Sequence, residues 1–496
     1  MLEALHDRDL AARTALAFPE RSLTYGQLAT VVAGLSRELE GCRRVAILAE
    51  PRIETCAAVV AALEAGVAAV PVNPRSGALE LGHIVANARP DAVMAAAGSP
   101  LAPPLDGLRR VSVVLPGGGG AGDGPLASAD PELPALWDPE LPALIVYTSG
   151  TTGPPKGAVL PRRAIESNLD ALAQVWEWTE RDVVAHALPL FHVHGLVLGI
   201  LGPLRRGGSA MHLGRFSAEA AAQALAGPAT VLFGVPTMYR RLADACERAP
   251  ELAEGLRRAR LLVSGSAALP VIEHQRLQRL CGRRVLERYG LTETLMNTAV
   301  RLGSDSPPGT VGPPLPGIEV RVVDDDGAVL EALDDETIGE LQVRGPNLFL
   351  GYLDAPQATA AAMRDGGWFS TGDIVTRTGR GEVRIVGRRA TDLIKSGGYK
   401  IGAGEIEACL REHPAVEDAA VTGEPDPDLG ERVIAWVVAR AGASPRPEEL
   451  IDHVAALLAP HKRPREVHLL NELPRNELGK VQKRRLTRTS PAARSS

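Results

Sequence analysis

The chain has 496 residues, 45% of them hydrophobic and 23% charged, with a formal net charge of −6. A charge that small on dispersed basic residues excludes a phosphate-backbone interaction with nucleic acid, although a small nucleotide is still allowed. The five cysteines, Cys42, Cys56, Cys246, Cys281 and Cys409, are far apart with no C-x-x-C pair, which excludes a disulfide framework and a zinc knuckle.

The N-terminus "MLEALHDRDLAARTALAF" lacks the basic start, apolar centre and small-residue exit of a signal peptide, so a cytoplasmic location is expected. From Tyr25 onward strand-like and helix-like runs alternate. "RRVAILAE" precedes a helical "IETCAAVVAALEAG", then come "AAVPVN", "LGHIVANARP" and "DAVMAA". This order predicts a parallel sheet covered by helices. The most apolar stretch, from Cys56, is broken by Glu64, Gly66 and Pro71 and is too short to span a bilayer. A Gly/Pro-rich piece, "LPGGGGAGDGPLASADPELP", reads as a solvated loop. A second alternating block runs from Ala164 to about Arg301, with the apolar strands "ATVLFGVP", "ARLLVSG" and "RRVLERYG".

Beyond Asp305 the pattern turns to short β-runs, "GIEVRVVDDDGAVL" and "IGELQVRGPNLFLGY", with Asp-Gly as a hairpin signal. They predict a small antiparallel, barrel-like subdomain. After "GEVRIVGRRATDLIKSGG" comes one set of strands and helices, "GEIEACLREHP", "VEDAAVTGE", "RVIAWVVAR" and "PEELIDHVAALLAPHKRP". The last hundred residues or so therefore form a separate small domain.

The strongest local chemical signal is "YTSGTTGPPKGAVL" at the end of an apolar strand. Its glycines expose backbone N–H groups, its hydroxyls donate, and Lys156 adds a cation, the set a polyphosphate needs. Pro155 stands where a Walker A loop has glycine, and no Ser or Thr follows the lysine, so it is not that loop. Taken alone, Glu293, Asp373 after "STG" and the base-rich tail "KVQKRRLTR" would each pass as ordinary surface features.

Together, "TSGTTGPPKG", "RYGLTET", "STGDI", "LIKSGGYKIGAGEIE" and "PRNELGKVQK" stand in one order and spacing. In this they resemble the acyl-adenylate-forming superfamily of acyl-CoA synthetases, luciferases and peptide-synthetase adenylation domains, along nearly the whole chain. The resemblance implies a multidomain α/β fold. An N-terminal domain, residues 1–387, would contain two α/β subdomains and a distorted β-barrel; a hinge, 388–392, would lead to a mobile α+β C-terminal domain, 393–496.

By matching motif, ATP would be held by Thr148, Ser149, Gly150, Thr151, Thr152, Gly153, Lys156, Ser266, Ala267, Glu287, Tyr289, Thr292, Asp373, Arg388 and Lys480. Lys480, Thr292 and Glu293 would be catalytic, with Glu293 on Mg²⁺. Lys395, Ser396, Gly397, Gly398 and Tyr399 would line a path for coenzyme A. The "GRRATD" spacing departs from the common pattern by one residue; Arg388 is favoured over Arg389, and Thr391 and Asp392 both stay open as the pivot.

For the acid, Arg288 precedes Tyr-Gly where ligases of apolar acids carry a small or neutral residue. With His192, His194, Ser266 and Met296 it would suit a second carboxylate, because a guanidinium grips a planar anion through paired charge-assisted bonds. "ERYGLTETLMNT" also looks like malonyl-CoA synthetases, which implies malonate or a 2-methyl analogue as substrate. A short-chain monocarboxylate synthetase, with Arg288 bound to Glu287 or packed below adenine, is the rival. A nucleotide-binding regulatory protein without turnover is the more distant one. Expected partners are the small molecules dicarboxylic acid, ATP and coenzyme A, with neither nucleic acid nor membrane; the resemblance leaves room for a protein acyltransferase acting on Lys480.

Overall fold

The computed structural model describes residues 1–116, 138–148, 154–388, 392–397, 399–475 and 481–486. Most of the Gly/Pro-rich loop segment, and Ser149 to Gly153, lie outside them. Two large sheets form the N-terminal part. The first runs Gly351–Tyr352, Lys156–Pro161, Pro142–Thr148, Ala68–Val72, Arg44–Leu48, Ala92–Ala96, Arg109–Val113; its last five strands are parallel. The second runs Leu295–Ala299, Val285–Leu291, Leu261–Ser264, Val231–Gly234, Val183–His186, Ser209–His212, Thr14–Ala17, Ser22–Thr24.

The central strands of both are short, apolar and buried end to end, as strands covered on two faces must be. The helix Ile53–Glu64 is buried at Ile53 and from Thr55 through Leu63. Its alanines let neighbouring elements approach closely, and its valines and Leu63 fill the remaining space. Trp176, Trp178 and Phe233 pack at ring-centroid distances of 5.8–6.4 Å and anchor the second sheet to the helix Arg162–Trp176. The Thr14–Thr24 segment, N-terminal in sequence, pairs with the far edge of this second sheet. A chain-order reading could not place it there, because register with Ser209–His212 is a long-range choice.

A third, antiparallel sheet of five strands spans Glu319 to Arg388. From Leu393 onward a separate five-stranded sheet carries the helices Ala403–Glu412 and Pro447–Leu457 on its own core of Ile394, Ile406, Leu410, Val421, Val437 and Leu450. One contact between the two parts is made by Arg240, which reaches the Glu417 carboxylate and backbone carbonyl. No helix among the described residues is long and apolar enough to cross a membrane.

Candidate active site

The carboxyl ends of Pro142–Thr148, Leu261–Ser264 and Val285–Leu291 deliver the candidate residues, the usual place for a ligand in a parallel α/β sheet. Val285–Leu291 continues into an antiparallel hairpin with Leu295–Ala299, bulged between Tyr289 and Gly290. The turn is tight: a Cβ on Gly290 would lie 1.8 Å from the Leu295 carbonyl oxygen. Strand alternation then sends Glu287 and Arg288 to opposite faces.

Glu287 turns to the helix Val271–Cys281. Its carboxylate accepts the Leu269 N–H at 2.8 Å and lies 2.9 Å from His274 Nε2, with both side chains buried. It therefore does not neutralise Arg288. Arg288 is buried on the other face, and its Nε and Nη2 have no hydrogen-bond partner among the described residues. Burial alone pulls its pKa down to about 9, which leaves it cationic at neutral pH. Gly265 makes its room: a Cβ there would stand 2.3 Å from the Arg288 Cζ.

His194 opens a π-helical turn, His194–Leu201, a distortion common at functional sites. It is buried with neither ring nitrogen paired among the described residues, and its ring lies 6.0 Å from that of Phe233. Burial, then the Arg288 charge, holds it well below the ordinary imidazole range, so it is neutral. His192 is half-buried, its ring 4.4 Å from that of Phe191. Ser266 and Ala267 are exposed, and Ser266 sits at a φ of 70°, unusual for a residue other than glycine. Met296 is buried opposite Gly290. An unpaired buried guanidinium beside an unpaired imidazole is costly, on the order of several kcal/mol, unless an anion joins them.

A second group surrounds Asp373. The Tyr289 hydroxyl donates to one of its oxygens at 2.6 Å, and Arg388 Nε lies 3.1 Å from the other. Burial and the Asp373 charge push the Tyr289 phenol well up, so Tyr289 stays protonated and acts as a donor.

The third group carries the phosphate-directed candidates. Glu293 at the hairpin tip accepts from the Tyr352 hydroxyl at 2.8 Å, and Lys156 Nζ sits 5.3 Å from the centre of the Tyr352 ring. The tip is held by Phe349 N–H to the Glu293 carbonyl, 2.9 Å, and by Asn347 Nδ2 to the Thr294 carbonyl, 2.6 Å. Thr292 beside it is half-buried, and Thr148 donates to the Lys156 carbonyl at 3.4 Å. Among the described residues no cluster of three or more His, Cys, Asp or Glu could chelate a metal. A lone carboxylate beside a cation fits a hard ion that takes its other ligands from phosphate and water.

Lys480 and Gly398 lie outside the described residues. Lys395, Ser396 and Gly397 sit on the hairpin that Tyr399 completes, and their partners belong to the C-terminal domain: Lys395 N–H to Glu431, Ser396 paired with Gly430, Gly397 N–H to Leu429. Tyr399 is exposed and stacks on His461 at 4.1 Å. Sequence reading passed over Gly265, His274 and Tyr352. His274 was discoverable, since it shares a helix face with Leu277 and Cys281; Gly265 was not, because only the fold brings Arg288 to it.

The AMP-binding enzyme family matches residues 6–353, and the AMP-binding enzyme C-terminal domain matches residues 405–480. The mitochondrial malonate–CoA ligase of Bos taurus is 40% identical over 376 residues, 70% of this chain and 64% of that protein; the chain thus spans under two thirds of this relative's length. A structure of a malonyl-CoA ligase ternary product complex with methylmalonyl-CoA and AMP is 57% identical, covering 96% of this chain and 100% of that one, with a TM-score of 0.73. ATP-bound MatB from Rhodopseudomonas palustris is 33% identical, covering 98% of both chains, with a TM-score of 0.86. Because the Bos taurus relative is mitochondrial, the comparisons do not carry the cytoplasmic expectation, and they give no support to an acyltransferase partner.

Proposed function

Because the chain belongs to the AMP-binding enzyme family, we propose that it is an ATP-dependent malonyl-CoA synthetase: malonate, and methylmalonate where volume allows, is adenylated and then passed to coenzyme A. The observation that carries this is Arg288, a buried guanidinium with two nitrogens unpaired among the described residues, close to a neutral His194 that is likewise unpaired among them. The carboxylate that is not adenylated neutralises Arg288, and the imidazole donates a further hydrogen bond. The relatives named malonate–CoA and malonyl-CoA ligase support the reading.

In the first half-reaction the other carboxylate attacks the α-phosphate of ATP, releasing diphosphate and leaving a mixed anhydride. Asp373 receives the ribose hydroxyls, with Tyr289 and Arg388 fixing its orientation. Glu293 would hold Mg²⁺, which when bound neutralises phosphate charge. Lys156, the loop from Thr148 to Gly153 and Thr292 take the phosphates, and Lys480 supplies positive charge at the reacting carboxylate and α-phosphate. In the second half-reaction the C-terminal domain turns about residues 388–392, removing Lys480 and bringing Lys395 to Tyr399 towards the site, where the coenzyme A thiol attacks the acyl carbon, the acyl–phosphate bond breaks and AMP leaves.

Selectivity follows from charge. A hydrogen bond to a charged group contributes about 1.5–3 kcal/mol, whereas an arginine left unpaired under a methyl-ended acid costs about 3–5 kcal/mol. One extra methyl is resisted only by volume, about 1–3 kcal/mol. The test is diphosphate release with malonate, methylmalonate, propionate and butyrate. Malonate is expected to be strongly preferred, and Arg288→Ala to lower its kcat/KM about a hundredfold or more with the KM for ATP unchanged. Equal rates with butyrate, or full malonate activity in Arg288→Ala, would return Arg288 to a structural role; no release with any acid would revive the regulatory reading.

A further inference from the structure

Lys483 lies only three residues past Lys480 in a base-rich tail, yet it is not a solvated base. Its Nζ is 2.6 Å from Asp392 and 2.6 Å from Glu407, and 14% of its side chain is exposed. Burial works against its charge, but the two carboxylates outweigh that and hold its pKa above the ordinary lysine value.

Asp392 is the centre of this arrangement. Its second oxygen accepts the Arg388 N–H at 3.0 Å, and its own N–H donates to the Arg388 carbonyl at 2.7 Å. One carboxylate thus ties the end of the Glu319–Arg388 sheet to the C-terminal tail, and the Arg388 side chain continues to Asp373. Glu407 sits on the helix Ala403–Glu412 and also accepts the Val421 N–H at 2.9 Å. Glu407 also has Arg411 Nη2 at 3.6 Å, but Lys483 stands 2.6 Å from both half-buried carboxylates, and removing it leaves two like charges close together without the cation that joins them.

We propose that Lys483 is a positioning residue that, by joining Asp392 to Glu407, clasps the junction between the two domains in the orientation described here. In this orientation Arg388 Nε lies 3.1 Å from Asp373, in the group read above as the ribose site. The clasp therefore acts on adenylate formation more than on thioester formation. That assignment of steps rests on the proposed function; the clasp itself rests on geometry.

The test uses the full chain with Lys483→Met, Lys483→Arg and Glu407→Gln. A donor–acceptor pair incorporated at the exposed positions Arg181 and Leu457 reports the distance between domains. Malonate-dependent diphosphate release and coenzyme A transfer from supplied malonyl-adenylate report the half-reactions separately. Lys483→Met is expected to redistribute the interdomain distance and to slow diphosphate release about tenfold, with transfer changed less than about twofold; Lys483→Arg restores both readouts. Glu407→Gln, which keeps its shape, gives the same direction at smaller size and stands in if Lys483→Met does not fold. An unchanged distance distribution, with both half-reactions slowed by one common factor, would overturn the clasp. If the unmodified protein releases no diphosphate with malonate, the functional reading fails while the distance measurement still decides the clasp.

Discussion

The role proposed for Arg288 depends on its neighbours' commitments. Its adjacent acid, Glu287, is already held by His274 and the Leu269 N–H, so the simplest internal partner is absent. Since burial lowers the Arg288 pKa to about 9, the free protein loses this cation as pH rises through that value. The expected outcome is that kcat/KM for malonate falls above about pH 9 while the KM for ATP stays level, because kcat/KM reports the free enzyme. At saturating malonate the fall comes later, since a bound carboxylate restores the charged form. Gly265 belongs to the same argument. A methyl there meets the guanidinium at 2.3 Å, so Gly265→Ala should raise the malonate KM about tenfold or more at nearly unchanged melting temperature, read by diphosphate release and thermal unfolding.

At the scale of elements, Val183–His186, Ser209–His212 and the turn from His194 bring three buried histidines together. His186 and His212 have ring centroids 4.8 Å apart, and His212 Nδ1 accepts the Gly214 N–H while Nε2 lies 3.1 Å from the Leu188 carbonyl. Burial holds all three below the ordinary imidazole value, His212 down to about 4. A base whose folded pKa is depressed binds its proton more readily in the unfolded chain, so stability is full above about pH 6.5 and is lost as pH falls below it. Each histidine should contribute a slope of about 1.4 kcal/mol per pH unit in that window. Urea midpoints measured between pH 7 and 5 should drop steeply, and His212→Phe, which could stack on Phe18 as the imidazole does at 5.0 Å, should make the drop shallower.

At the scale of the molecule, the contacts between the two parts include the Arg388–Asp392 turn, the Arg240–Glu417 pair and the start of the helix Ala403–Glu412 against Val386. A half-exposed pair such as Arg240–Glu417 contributes only about 0–1 kcal/mol, so that pair by itself opposes a change of orientation weakly. Lys480→Ala should therefore abolish malonate-dependent diphosphate release yet leave coenzyme A transfer from supplied malonyl-adenylate largely intact. Loss of both half-reactions to the same extent would contradict a lysine used in only one orientation.

The parallel sheets, the antiparallel segment from Glu319 and the separate C-terminal domain were legible in the chain because strand alternation and glycine or proline stops are local properties. The motif spacing likewise picked out Tyr289, Glu293 and Asp373, for which the nucleotide and Mg²⁺ roles are proposed. The sequence alone also singled out Arg288 as a cation out of place. It could not say whether Glu287 would neutralise it, whether Gly265 would make its room, or that Lys483 is a buried tie and not a solvated base. Those answers depend on which face a strand presents and on which distant carboxylate lies within 3 Å. Long-range packing decides both, so only the tertiary structure separated Arg288, with two nitrogens unpaired among the described residues, from cations such as Lys483 that are already held in ion pairs.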